Sequence, residues 1–299
     1  MKAALRADLR ILVVGAGLAG AVGGLVYSST TGPAPHAAAP AAVATPPKPV
    51  ATAPRPAVKP APAPATAVRK VARGVLEGVG IESGVAKTRV QQALVALEAK
   101  VGRQSDPAAL RMAFQAYYAY QAANPGKVRK PYLYYVDYGL DARTPRGYVF
   151  DMKTLKVVDG PFTVAHGRGS AAPGSGRPTR FSNRQGSNAT SLGLYLAQET
   201  YAFSGKSAGV AYRSPGLRLT GVSGKYNSAA RARGVVVHGA PYVTAGRAGR
   251  SEGCPAVELT RARKLIPRIA NGGMVFLFSP LDRTWMKSDP WASRSRSEG

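Results

Sequence analysis

The chain of 299 residues is strongly basic and contains few cysteines and histidines. Its 41 Lys and Arg residues outnumber 15 Asp and Glu residues, which gives a formal net charge of +26. The single cysteine excludes an intramolecular disulfide and the multi-cysteine zinc sites, and three histidines are too few to indicate a metal centre. We therefore expect neither a metal nor a cofactor. The charge is typical of proteins that bind nucleic acid, an anionic membrane surface or another anionic polymer, and it does not choose among them.

Residues 1–32 are typical of a secretory signal peptide or an N-terminal membrane anchor. Three cations, Lys2, Arg6 and Arg10, precede an uncharged and mostly apolar stretch over 11–29 that is about long enough to cross a bilayer. The pattern fits a cleaved signal and an anchor in the inner membrane equally well. In either case we expect the rest of the chain in the periplasm or cell envelope, and no nucleic-acid partner.

Two segments separate this start from the predicted folded domain. Residues 33–66 form a Pro- and Ala-rich linker with 11 of the 24 prolines, a composition that favours polyproline II over a packed core. Residues 67–130 are predicted to be helical, because apolar residues recur at helical spacing over 90–101. An Asp-Pro pair at 106–107 predicts the start of a further helix, which Asn-Pro-Gly at 124–126 ends. This segment is either a helical cap on the following domain or a partner-binding segment.

Residues 131–285 are predicted to form a mainly β domain with one or two small helices. Short apolar runs alternate there with loops rich in Gly, Ser and Asn. The predicted strands are 132–138, 147–151, 155–158, 162–165, 192–196, 217–219, 235–237 and 274–278. A helix is expected within 260–270, kinked or split by Pro267. Residues 286–299 are expected to be a basic disordered tail.

The only cysteine stands in a polar, glycine-flanked loop rather than in an apolar run. The loop sequence is Gly249-Arg250-Ser251-Glu252-Gly253-Cys254-Pro255. An unpaired thiol in an oxidising compartment is at risk of oxidation, which favours a chemical role over a buried, inert cysteine. The neighbouring Arg250 is expected to favour the thiolate form of Cys254.

A cysteine nucleophile needs a base, and His238 has the most suitable position in the sequence. It follows the apolar run 235–237 and precedes Cys254 by sixteen residues, so the intervening loop can return the chain to the strand it left. We expect His238 to accept the thiol proton. The backbone N–H groups of Gly253 and Cys254 are the expected oxyanion donors, and the Gly239 carbonyl is the expected partner that orients the imidazole.

These residues resemble the active-site signature of L,D-transpeptidases of the YkuD type. They most resemble the branch described as the murein L,D-transpeptidase catalytic domain family. The resemblance covers about 131–280, roughly half of the chain. The motifs that carry it are His238-Gly239-Ala240, Gly249 to Val257, Val164 to Ser170, Phe181 to Asn183, Ser191 to Gly193, Glu199 to Tyr201, Leu217 to Leu219, Asn227, Ala230 and Arg233.

The resemblance implies a YkuD-type β-sandwich and an exported enzyme that acts on peptidoglycan stem peptides. It implies Cys254 as the nucleophile and His238 as the base, with Ser251 and Gly253 shaping the pocket. The commonest form of the signature has a second histidine two residues before the cysteine, where this chain has Glu252.

His166 is open to two interpretations. It either replaces the missing imidazole by folding into the site or is a structural histidine at the end of a strand. The commonest form of the signature also has an arginine two residues after the cysteine, where this chain has Ala256.

The expected reaction is L,D-transpeptidation through a thioester on Cys254. Arg250, Arg231 and Arg233 are candidates for holding a carboxylate of the stem peptide, because guanidinium matches carboxylate geometry. One alternative is an L,D-carboxypeptidase or thiol hydrolase acting on the same peptides. The other is a non-catalytic, cationic module that binds the cell wall. The sequence makes no prediction of the oligomeric state.

Overall fold

The computed structural model describes residues 84, 85 and 87–293. The predicted signal or anchor at 1–32 and the linker at 33–66 lie outside the described residues. Within the described part of the chain, every helix is too short or too polar to cross a membrane.

An eight-stranded mixed sheet forms the centre of the described domain. The strands of the structure are β1 (Tyr132–Asp137), β2 (Gly147–Asp151), β3 (Lys156–Phe162), β4 (His166–Gly167), β5 (Gly193–Ser207), β6 (Val210–Gly221), β7 (Val236–Gly239), β8 (Val243–Thr244), β9 (Arg247–Ala248), β10 (Arg250–Ser251), β11 (Ala256–Val257) and β12 (Met274–Phe278). The order in the large sheet is β11-β7-β6-β5-β12-β1-β2-β3. The pairs β1–β12 and β11–β7 are parallel, and the other pairs of this sheet are antiparallel. Strands β4 and β10 form a separate parallel pair, and β8 and β9 an antiparallel one.

Helices cover both faces of the sheet. They are α1 (87–97), α2 (Ala109–Ala123), α3 (Leu259–Ile269) and α4 (Arg283–Ser288). Successive residues of β12 point to opposite faces, so that Met274 and Phe276 pack with α1 and α2 while Val275 and Leu277 pack with α3. A strand that is buried on both faces reads as a continuous apolar run, which is why 274–278 was recognisable in the sequence.

The prediction of a mainly β domain with small helices is confirmed. In the described part of the helical segment, α1 and α2 pack against the sheet, and Leu97 and Phe114 are fully buried there. Helix α2 begins at Ala109 rather than at Pro107. The reason is that the Ala108 N–H donates to the Asp106 carboxylate at 2.8 Å, which forms a turn before the first helical residue.

The predicted strand at 162–165 is wrong beyond its first residue, which ends β3. Residues 163–165 do not pair as a strand, because two of their carbonyls accept hydrogen bonds from side chains. Arg146 donates to Val164 O at 2.7 Å, and the Tyr138 hydroxyl donates to Ala165 O at 2.9 Å.

Two further corrections concern the C-terminal third. Helix α3 is not split at Pro267, which lies within the last turns of one continuous helix. The expected disorder from 286 onward is wrong for 286–293. Trp285 is fully buried between Phe276 and Phe278, and its indole N–H donates to the buried Asp289 carboxylate at 3.0 Å. Residues 294–299 lie outside the described part.

Candidate active site

A cleft of about 700 Å³ opens beside the hairpin that β5 and β6 form. Cys254 and His238 both line it, together with Ser251, Arg233 and Arg250. Five of the residues singled out in the sequence therefore line one cavity, although they come from two segments of the chain, 233–238 and 250–254.

Parallel pairing of β11 with β7 explains why Cys254 and His238 meet. Ala256 of β11 is the register partner of His238 in β7. Cys254 lies two residues before Ala256, so the loop that follows β7 brings the thiol back beside Val236, at the start of that strand and two residues before His238. This is the return of the chain that the spacing of the two residues predicts.

The Cys254 sulfur is held by the backbone that precedes β7. Its S–H donates to Gly234 O at 3.8 Å, and it accepts the Val236 N–H at 3.5 Å. Burial raises the pKa of this thiol to about 11, while the Val236 N–H and the Arg233 charge act in the opposite direction and Glu252 adds to the increase. The resting thiol is therefore protonated at neutral pH.

His238 is a buried, neutral imidazole with a defined tautomer. Its Nδ1 lies 3.0 Å from Gly239 O, and a carbonyl only accepts, so Nδ1 carries the proton and Nε2 has the free lone pair. Burial lowers the pKa of His238, opposed by the hydrogen bond to Gly239. The ring stacks on Phe203 with centroids 4.1 Å apart. Among the hydrogen bonds of the described residues, the thiol proton goes to Gly234 and not to this ring.

The hydroxyl of Ser251 organises the loop in front of the sulfur. It donates to Cys254 O at 2.7 Å and accepts the Gly253 N–H at 3.2 Å. Gly253 has φ +121°, and a Cβ at this position would lie 3.0 Å from Ala189 O, so the loop requires glycine. The Gly253 N–H is thus occupied. The Cys254 N–H takes part in no hydrogen bond among residues 87–293 and is free to meet an oxyanion.

The arginines singled out in the sequence are placed very differently from one another. Arg250 donates through Nη2 to the carbonyls of Ala172 and Ser175 at 2.6 and 2.9 Å, which ties the cleft rim to a neighbouring loop. The cation that lowers the thiol pKa is Arg233, not the predicted Arg250. Arg231 is exposed and pairs with Glu199 at 2.8 Å, and it is not among the residues lining the cleft.

His166 is buried beside the loop that carries Cys254 and does not line the cleft. It pairs with Arg250 in the parallel register of β4 and β10. Its Nδ1 accepts from Arg146 at 3.0 Å, so the ring proton is on Nε2. Burial, and after it the charges of Arg146 and Arg250, lowers the pKa of His166 to about 3. This placement favours the structural interpretation of His166.

Sequence reasoning missed the aromatic wall and the backbone cage of the site. Phe203 and Tyr212 line the cleft from the β5–β6 hairpin, and Gly234 holds the sulfur. The signal that could have indicated the hairpin was the alternation of Tyr201 and Phe203 before the glycine turn at 208–209, with Tyr212 after it. In the described part of the chain, no cluster of three His, Cys, Asp or Glu residues could hold a metal ion.

Comparison with known proteins places this geometry in a family context. The sequence profile of the L,D-transpeptidase catalytic domain family matches residues 102–278. No curated protein matches the chain.

Three solved structures show the level of structural similarity. An L,D-transpeptidase from Mycobacterium smegmatis shares 16% identity over 50% of this chain and 59% of that chain, with a TM-score of 0.32. One from Stackebrandtia nassauensis shares 15% identity over 58% of this chain and 67% of that chain, with a TM-score of 0.31. A third, from Xylanimonas cellulosilytica, shares 16% identity over 54% of this chain and 68% of that chain, with a TM-score of 0.29. The match thus spans about three fifths of the length of the Mycobacterium smegmatis protein.

Proposed function

The chain belongs to the L,D-transpeptidase catalytic domain family, and on this premise we propose that it is an exported cysteine acyltransferase that cross-links peptidoglycan stem peptides. The observation that supports this most strongly is the meeting of Cys254 and His238 on one cleft, next to a backbone N–H without a partner. Export is inferred from the basic and then apolar sequence of residues 1–32.

The first half of the proposed reaction forms a thioester. His238 Nε2 takes the proton of the Cys254 thiol, and the sulfur attacks the carbonyl between the L-centre of a diamino acid and the terminal D-Ala of a tetrapeptide stem. The Cys254 N–H donates to the oxygen that becomes negative. The imidazolium then gives its proton to the nitrogen of D-Ala, the C–N bond breaks and D-Ala leaves. Gly239 O keeps the other ring proton on Nδ1, so Nε2 handles each proton transfer.

The second half transfers the acyl group to an amine. The side-chain amine of a neighbouring stem attacks the thioester carbonyl, and His238 Nε2 accepts the proton that the amine loses. The C–S bond breaks, and the sulfur regains its proton from the imidazolium. Water in place of the amine would release a free tripeptide, which is the carboxypeptidase reaction.

The resting protonation states bear on the timing of the first proton transfer. A raised thiol pKa and a lowered imidazole pKa make the neutral pair the stable form in the free protein. The sulfur must also leave the Gly234 carbonyl before it can meet His238 Nε2. We therefore expect proton transfer to accompany substrate binding and attack, rather than to precede them.

The test of the proposed function is incubation of the purified protein with a tetrapeptide stem, followed by mass analysis of the products. Release of D-Ala together with a cross-linked dimer is the expected result, and the Cys254→Ala variant should give neither. Release of D-Ala without dimer would replace the proposal by the carboxypeptidase function. No reaction with the wild-type protein, together with undiminished wall binding by Cys254→Ala, would replace it by the non-catalytic module.

Acylation by a carbapenem tests the nucleophile separately from the acceptor. The resemblance to L,D-transpeptidases implies that such a compound traps the sulfur as a covalent adduct. Intact-mass analysis should give one adduct on the wild-type protein and none on Cys254→Ala. An adduct that persists in the variant would place the nucleophile elsewhere.

A further inference from the structure

We propose that Arg233 is a positioning residue for the nucleophile, because its side chain fixes the wall of the cleft that lies next to the Cys254 loop and its charge acts on the sulfur. The proposal rests on the proposed function of Cys254 as the nucleophile. It gives Arg233 a different role from the carboxylate binding that the sequence suggested.

Both terminal nitrogens of the Arg233 guanidinium donate to neutral acceptors from a single loop. Nη1 donates to Ser182 O at 2.8 Å and to Ser191 Oγ at 3.3 Å. Nη2 donates to Ala189 O at 2.7 Å and to Ser187 Oγ at 3.2 Å. One side chain thus fixes both ends of the segment 182–191, whose middle forms part of the cleft wall. A fork that is already occupied in this way is not free to grip a substrate carboxylate.

The same side chain also reaches the loop that carries the thiol. A Cβ placed on Gly253 would lie 3.5 Å from Arg233 Nη2 and 3.0 Å from Ala189 O, so the Arg233 side chain and the cleft wall it holds lie close to the loop that carries Cys254. The next residue in the chain, Gly234, accepts the Cys254 S–H. Displacement of the Arg233 side chain would therefore disturb both the loop in front of the sulfur and the backbone behind it.

The charge of Arg233 is not neutralised by an ion pair within the described residues. Its acceptors are two carbonyls and two hydroxyls, and the side chain is half-buried. Arg168, another cation of the cleft, pairs with Glu252 at 3.4 Å. An unpaired cation in a partly desolvated site favours a nearby anion more than an exposed and paired one does. In the proposed reaction this anion is the Cys254 thiolate. In agreement with that, the charge of Arg233 lowers the pKa of the Cys254 thiol.

The test separates charge from geometry with two substitutions and a matched control. Arg233→Gln removes the charge and most of the hydrogen bonds to the cleft wall, whereas Arg233→Lys keeps the charge but lacks the fork. Arg231→Gln is the control, because it removes the same charge two residues away, at an exposed position paired with Glu199 outside the cleft. The rate constant for alkylation of Cys254 by iodoacetamide is measured from pH 7 to 9, and the rate of acylation by a carbapenem is measured alongside.

We expect Arg233→Gln to lower the alkylation rate constant about threefold or more across this range. In Arg233→Lys, the alkylation rate constant of Cys254 should stay within about twofold of the wild-type value. Acylation should nevertheless be about tenfold slower, because the cleft wall at 182–191 is no longer fixed next to the Cys254 loop. Arg231→Gln should match the wild type in both assays. If circular dichroism shows that Arg233→Gln folds poorly, the inference is judged on Arg233→Lys alone: slower acylation supports it, and a wild-type acylation rate contradicts it.

Two results would overturn the inference. The first is that both Arg233 variants are alkylated and acylated at the same rates as the wild type. The other is an equal loss in Arg231→Gln, which would reduce the effect to total charge. The alkylation assay needs no peptide substrate, so a failure of the proposed cross-linking activity would leave this test interpretable.

Discussion

The Cys254 thiol shares its cleft with the His238 imidazole, the proposed base, yet the free protein does not hold the two as an ion pair. Burial favours the neutral form of each group, and the thiol proton is donated to a carbonyl. A thiol with a pKa of about 11 has on the order of one thiolate in 10⁴ at pH 7, against a few per cent for an unperturbed cysteine. If Cys254 is the nucleophile, as proposed, the thiol is activated only when substrate binds, and its protonated form reacts slowly with oxidants in the absence of substrate.

This protonation state predicts a specific alkylation profile for the wild-type protein. The rate constant for iodoacetamide should rise about tenfold per pH unit from pH 7 to about 10, because only the thiolate reacts and its fraction grows at that rate. The rate constant of a short, unstructured cysteine peptide with blocked termini, measured in parallel, should begin to level off above its own thiol pKa, about 8.5. A plateau for the protein below pH 7 would instead mean a preformed thiolate–imidazolium pair.

At the residue scale, the sequence was sufficient to predict a role where a residue type is rare in the chain and has few possible functions. A lone cysteine in a glycine-flanked loop and a histidine at the end of an apolar run indicated the pair that the structure brings to one cleft. The choice among arginines could not be made in this way, because 41 cations share one chain and only their contacts separate them. Arg233 differs from Arg231 by its four neutral acceptors, and no sequence signal predicts those.

At the scale of elements, the β5–β6 hairpin supplies the wall against which the His238 ring packs. The Phe203 ring stacks on the His238 ring. The centroid of the Tyr212 ring lies 6.5 Å from the centroid of His238, with the two planes inclined by 26°. Only the inner ends of the two strands, near 192–196 and 217–219, were predicted. The outer part alternates half-buried with exposed residues and is rich in Ser, Gly and Ala, so it lacks the apolar run that marked the inner strands.

Removal of the stacked ring should change the titration of the base. In Phe203→Ala, water reaches the imidazole, and the pKa of His238 should rise toward its usual value because the cost of burying the charged form falls. NMR titration of the imidazole protons, with His238→Gln to assign the signal, measures this shift. Val210→Ala at the exposed tip of the same hairpin is the control and should leave the titration unchanged. An unchanged pKa in Phe203→Ala would mean that the sheet, and not the hairpin, sets the protonation of His238.

Helix α4 is the second element that could not be predicted from the sequence. Its six residues are too few for a helical period to be recognised, and the surrounding sequence is polar and basic. A single residue, Trp285, determines its position by filling a space between two phenylalanines of β12. Its placement depends on a contact with a strand that lies earlier in the chain, which local composition does not reveal.

For the molecule as a whole, one buried cation, Arg146, links the residues next to β2 to the loop that carries Cys254. Arg146 is fully buried, and its pKa, lowered by burial to about 10, still leaves it charged at neutral pH. It donates to the carbonyls of Leu140 and Val164 and to His166 Nδ1, and it lies over the ring of Tyr138. Through His166 the network reaches β4 and hence β10, which begins the cysteine loop. The geometry of the site is therefore coupled to the stability of the domain.

That coupling predicts how the folded domain responds to acid. His166 has a pKa of about 3 when folded and an ordinary value near 6.5 when unfolded, so between these pH values the unfolded state binds a proton that the folded state does not. The contribution of His166 to the free energy of unfolding is full above pH 6.5 and falls by up to about 1.4 kcal/mol for each pH unit below it. Urea unfolding of the wild type and of His166→Gln measures this, because glutamine can accept from Arg146 but does not titrate. All other titrating groups are common to both proteins, so the stability difference between them should shrink by about 2 kcal/mol from pH 7 to pH 5. Parallel pH dependences in the two proteins would show that His166 takes up its proton without unfolding the domain, and that the network around Arg146 tolerates a second positive charge.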